Sequence, residues 1–146
     1  MSKSTLPRLK ALRDEMGKAG ITAFIIPGTD PHQSEYYASH WAARTWISGF
    51  DGSAGTAVVT TNQAGLWTDS RYFLQAAQQL EDSGFELFKE GLPDTPTIEQ
   101  WLLTTLPQGA TIAIDGTLFG ASKAAAMKQN FESHGFRFVS DFTPFD

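Results

Sequence analysis

The chain contains no cysteine, so it can build neither a disulfide framework nor a thiolate metal site. It is short of positive charge as well. Eleven Lys and Arg stand against 16 Asp and Glu, a net charge of -5, which lacks the basic footprint of a nucleic-acid binder. No apolar run approaches the roughly 20 residues needed to span a bilayer. The cations Lys3, Arg8, Lys10 and Arg13 are followed by no apolar segment of the signal-peptide type, so a cytosolic location is the default expectation. Histidine is scarce, three in all. His40 and His134 stand alone in the sequence and read as surface or packing residues rather than ligands.

What is present describes an ordinary globular domain. The 146 residues are 41% hydrophobic and 18% charged, enough for one domain that buries about two thirds of its unfolded surface. Leu6, Leu9, Leu12 and Met16 recur at helical spacing, predicting an amphipathic first helix stopped by Gly17 and Gly20. Ile21 to Ile26 reads as a buried strand ended by Pro27-Gly28, and residues 29 to 46 as irregular. Thr56 to Thr60 is a strand, Asn62 to Gly65 its turn, and Leu66 to Thr68 a second strand. Beyond Asp69 a helix sets Tyr72, Phe73, Ala76, Ala77 and Leu80 on one core-facing stripe.

The second half repeats the alternation. Phe85 to Phe88 is a strand, and Thr97 caps a helix that turns Trp101 and Leu102 inward. Thr111 to Ile114 is a strand, Gly120 to Phe131 a helix and Phe136 to Val139 the last strand. Six short strands among four helices predict an α/β layered domain. The early turn-linked pair is expected to be antiparallel, which makes the six-stranded sheet mixed. Residues 1–146 form a single domain on this reading, with Thr143-Pro144-Phe145-Asp146 as a proline-marked exit.

Few residues offer chemistry. Gly49, Gly52 and Gly55 lead into the Thr56 strand, and Asp51 to Gly55 superficially suggests a phosphate loop. It lacks the Gly-Lys-Ser/Thr ending and runs into a strand, which argues against one. Asp30, His32 and Glu35 lie within six residues and could hold a hard cation. The plainer reading is a turn begun by Asp30-Pro31, with side chains capping nearby backbone donors. Asp30, Asp69 and Asp115 are a conceivable nuclease carboxylate set, disfavoured by the acidic charge balance. Trp67 and Trp101 belong to the core pattern. Trp41 and Trp46, with Tyr36, Tyr37 and Phe50, make either an aromatic wall toward another domain or subunit or a cluster beneath a loop.

Arg71 stands out from this background. Asp69 or Ser70 is placed to cap a helix whose first turn displays Arg71, where the helix dipole disfavours a cation. Either it pairs with Asp69 or Asp51 to fix the turn, or its planar fork of donors serves a bound ligand.

Four segments carry a wider likeness. They are IIPGTDPHQSEY (25–36), SGFDGSAGTAVVT (48–60), LWTDSRYFLQAA (66–77) and GLPDTPTIEQWL (91–102). In this order they resemble the N-terminal domain of the Xaa-Pro aminopeptidases (aminopeptidase P), relatives of creatinase and prolidase. Ser70 stands where such proteins often carry glycine, and serine is compatible with a helix start. The resemblance implies a ribonuclease-H-like fold and a domain that is not catalytic by itself. It further implies a separate C-terminal catalytic domain, not found in this sequence, holding two Mn²⁺ or similar divalent ions and its own catalytic histidines. Arg71 would reach the bound peptide, whose second residue is proline, and the full-length protein would form a homodimer. The alternative is a free-standing, non-catalytic interaction module of the same fold.

Overall fold

The computed structural model describes residues 5–27, 55–81, 83–114 and 121–142. The first helix, α1 (Thr5–Ala19), is followed by β1 (Ala23–Pro27), β2 (Thr56–Thr60) and β3 (Ala64–Thr68). A 3₁₀ turn (Ser70–Tyr72) then leads into α2 (Phe73–Gln79) and β4 (Glu86–Lys89). The chain continues through α3 (Ile98–Thr105), β5 (Thr111–Ile114), α4 (Ala121–Ser133) and β6 (Arg137–Val139). The six strands lie in the order β4-β3-β2-β1-β5-β6. β2 is antiparallel to both β1 and β3, while β3–β4, β1–β5 and β5–β6 are parallel. The expected mixed α/β sheet is therefore the observed one.

Period-two alternation sorts the strand side chains into two cores. Phe24, Ile26, Ala57, Val59 and Leu66 join Leu9, Leu12 and Met16 of α1 and Ala76 of α2 on one face. Ala23, Ile25, Val58, Trp67, Ile112 and Ile114 join Trp101 and Leu102 of α3 and Met127 and Phe131 of α4 on the other. Helices thus cover both faces, in three layers. Because the central strands are buried on both sides, they read as continuous apolar runs.

Three local details differ from expectation. Gly17 lies inside α1, and the helix ends at Gly20, whose φ of 74° lets the Ile21 amide donate to the Met16 carbonyl at 2.8 Å. Ala77 is exposed, so the α2 stripe narrows to Ala76 and Leu80 with Tyr72 and Phe73 half-buried. Gly65 belongs to β3 rather than to the turn before it. That turn is closed earlier, with the Thr60 amide donating to the Gln63 carbonyl at 2.8 Å and the Gln63 amide donating to Thr60 Oγ1 at 2.9 Å.

Gly65 has a steric reason to be glycine. A Cβ there would lie 2.7 Å from the Phe88 ring and 2.8 Å from the Trp67 ring. Those rings stack with centroids 4.1 Å apart, and Trp101 meets Trp67 edge-on at 5.3 Å. The missing side chain makes room for the stack. The Trp67 indole N–H donates to the Pro96 carbonyl at 2.9 Å, which satisfies its buried donor. The same turn leads into α3, closed by a capping box between Thr97 and Gln100.

Candidate functional site

The aromatic stack ends where the side-by-side strands β3 and β4 leave the sheet. Their parallel pairing runs to Thr68 and Lys89, and the Glu90 amide donates to the Thr68 carbonyl at 2.9 Å. The carboxyl ends of parallel strands are where open α/β sheets place their ligands. Here the chain turns immediately into the residues 69–72.

Asp69 caps this 3₁₀ turn. Its backbone is extended (φ -89°, ψ 176°), and Oδ1 accepts from the Arg71 amide at 3.0 Å. The same oxygen accepts from Arg71 Nε at 3.1 Å, while Oδ2 accepts from Nη2 at 2.8 Å. The pair is therefore bidentate, yet the Arg71 side chain stays 67% exposed. The Arg71 Cζ also sits 5.1 Å from the centroid of the Tyr72 ring, within cation–π range. The hydrogen bond from Arg71, reinforced by its charge, holds the Asp69 carboxyl below its ordinary range. The same bond raises the guanidinium. Of the two ion pairs expected for Arg71, the one with Asp69 is present; Asp51 lies outside the described residues.

Glu90 was not foreseen from the sequence. Partial burial, followed by the Asp69 charge, pushes its carboxyl above the ordinary range, although the residue as a whole stays exposed. It borders a cavity of about 190 Å³ lined by Trp67, Glu90, Gly91, Thr95, Pro96, Thr97 and Ile98. Nothing in a one-dimensional pattern brings Glu90 to Asp69: that proximity requires the parallel β3–β4 pairing.

The other sequence candidates separate cleanly. Trp67 and Trp101 are core residues, 1% and 8% exposed. His134 is exposed, with Nδ1 2.8 Å from the Asn130 carbonyl oxygen. Asp30, His32, Glu35, Tyr36, Tyr37, His40, Trp41, Trp46, Phe50 and Asp115 lie outside the described residues, as do residues 143–146. Among the described residues no group of three or more His, Asp or Glu is placed to hold a metal ion. Of the imagined nuclease set only Asp69 is described, and it is engaged by Arg71. No helix of the described residues is long and apolar enough to cross a membrane.

With this geometry in hand, the match to a known family is decisive. The creatinase/prolidase N-terminal domain model matches residues 8–144. The chain belongs to the creatinase/prolidase N-terminal domain family. It is 48% identical over 124 residues to the Xaa-Pro aminopeptidase ApepP of Drosophila melanogaster, covering 81% of this chain and 20% of that protein. It superposes with a TM-score of 0.81 and 33% identity on the X-prolyl aminopeptidase of Caenorhabditis elegans, covering 98% of this chain and 24% of the other. That worm protein is described as a cytosolic enzyme with a di-nuclear active site. An isolated creatinase/prolidase-like N-terminal domain from Corynebacterium diphtheriae shares the fold at 19% identity, with a TM-score of 0.65 and 94% and 95% coverage. The chain spans about a fifth of the length of the curated relatives it matches. The resemblance drawn from the four segments, and the mixed six-stranded α/β fold of creatinase N-terminal type that it implied, are both borne out.

Proposed function

We propose that this domain is the non-catalytic N-terminal part of a metal-dependent Xaa-Pro aminopeptidase. In that role it supports a C-terminal catalytic domain, shapes access to the cleft and presents Arg71 to the bound peptide. The observation that carries this reading is an arginine fixed in place yet two-thirds exposed, at the carboxyl end of parallel strands, in a domain so similar to those of Xaa-Pro aminopeptidases. Exposed ion pairs contribute little to stability, so stability alone does not account for a guanidinium held this way. Its fork suits a carbonyl or carboxylate oxygen of a peptide. A substrate with proline at the second position has no amide N–H there and a fixed φ, so recognition has to rely more heavily on its oxygens.

On this reading the two divalent ions, manganese or similar, reside in the catalytic domain and supply the activated water for hydrolysis. No residue described here takes part in that step. The full-length protein would work in the cytosol, like the worm enzyme, as a homodimer.

The test is release of the residue preceding proline by the full-length enzyme loaded with Mn²⁺, wild type against Arg71→Ala. The expected result is a fall in kcat/KM of about 100-fold, since positioning errors of this kind carry losses of that order. The melting temperature should stay unchanged within about 1 °C, as befits an exposed pair. Unchanged kcat/KM would reduce Arg71 to a turn-fixing ion pair. Absence of peptidase activity in the wild type would favour a free-standing interaction module.

A further inference from the structure

We infer that Asp69 is the positioning residue for Arg71, and that it turns one particular edge of the guanidinium toward the ligand. The inference rests on the reading of Arg71 given above. A guanidinium has two edges able to make paired hydrogen bonds: the side edge of Nε and Nη2, and the end edge of Nη1 and Nη2. Asp69 occupies the side edge with both of its oxygens, at 3.1 Å and 2.8 Å. The Tyr72 ring covers one face at 5.1 Å. None of the described residues accepts a hydrogen bond from Nη1, so the end edge is the one left for a ligand oxygen.

The carboxylate does two things at once. Oδ1 takes the Arg71 amide as well as Arg71 Nε, so the backbone turn and the side-chain direction are locked by one group. An arginine free to rotate would lose several rotamers' worth of entropy on engaging a ligand. One already clamped loses less per hydrogen bond formed. The strand behind is equally constrained, because Trp67, two residues before Asp69, is pinned by its ring stack and its bond to Pro96. The ligand chemistry that fits the open edge is a carbonyl or carboxylate oxygen approaching along the Nη1–Nη2 side, and a carboxylate there can accept two parallel bonds from one guanidinium.

Asparagine separates the two duties of Asp69. It remains a good cap, with an oxygen for the Arg71 amide, but it cannot give the guanidinium two anionic oxygens. The experiment is a double-mutant cycle on the full-length Mn²⁺ enzyme with an Xaa-Pro peptide, comparing wild type, Asp69→Asn, Arg71→Ala and the double variant. Melting temperatures are read alongside. The expected result is a loss of kcat/KM of about 10-fold for Asp69→Asn, and no further loss when it is added to Arg71→Ala. The loss should lie mainly in KM.

A full-strength Asp69→Asn beside a weakened Arg71→Ala would overturn the positioning role while leaving the Arg71 reading intact. An Asp69→Asn loss that persists undiminished in the Arg71→Ala background would also overturn it, because Asp69 would then act through something other than Arg71. An inert Arg71→Ala would instead sink the underlying reading of Arg71 itself.

Discussion

Strand β3 and the turn that follows it adjoin in the chain and differ completely in surroundings. All five residues from Ala64 to Thr68 are buried, and none of Ser70, Arg71 and Tyr72 is. In the first stretch every side chain, and one missing side chain at Gly65, answers to packing on both faces of the sheet. In the second, a specific bidentate geometry is maintained in the open, where it contributes little to folding. Burial accounts for the strand without reference to any ligand. The exposed turn is ordered instead by the cap and ion pair that Asp69 makes with Arg71.

The contrast can be broken first at Trp67. Trp67→Ala should destabilise the domain by about 3–5 kcal/mol, the usual cost of deleting a large buried aromatic. Chemical denaturation would read this, and a loss below about 1 kcal/mol would mean that the stack is not part of the stabilising core. Gly65→Ala comes next. Its methyl group would press on two stacked rings, and overpacking of this kind costs about 1–3 kcal/mol. A neutral or stabilising result would show that the rings give way freely.

Glu90 offers the smallest and sharpest probe. Its carboxyl is pushed up by partial burial and then by the Asp69 charge, so the folded state holds that proton more tightly than the unfolded chain. Stability from this group is therefore present below the ordinary glutamate range and lost as pH rises through its folded value. Glu90→Gln removes the charge. Because the group is largely exposed, the gain should be small: about 1 °C in melting temperature near pH 7. Below about pH 4 the two proteins should melt together. A difference that grows on acidification would reverse the assigned cause.

Much of this was legible in the residues. Short β-branched, apolar runs such as Thr56–Thr60 and the Thr97 cap are local signals, and both elements form where expected. Arg71 and Asp69 are two positions apart, so their pairing was also within reach of local reasoning. Gly65 reads as a turn residue because glycine advertises backbone freedom, whereas in the fold it provides space against the Trp67 and Phe88 rings. Ala77 reads as inward-facing because alanine fits either side of a helix, yet it is exposed. Glu90, and the cavity beside it, depend on which strands neighbour one another in space. A linear pattern does not encode that.

The strand order also decides what the sheet exposes at its rims. The outermost strands, β4 and β6, have four and three residues. β4 shows Glu86 and Lys89 outward, and β6 begins with the exposed Arg137. Open strand edges invite another chain to add itself, and short, charged edges discourage it. The long apolar strands, which would make the stickiest templates, are held in the middle of the sheet. A domain built this way can hold an apolar sheet in the crowded cell while resisting edge-to-edge aggregation.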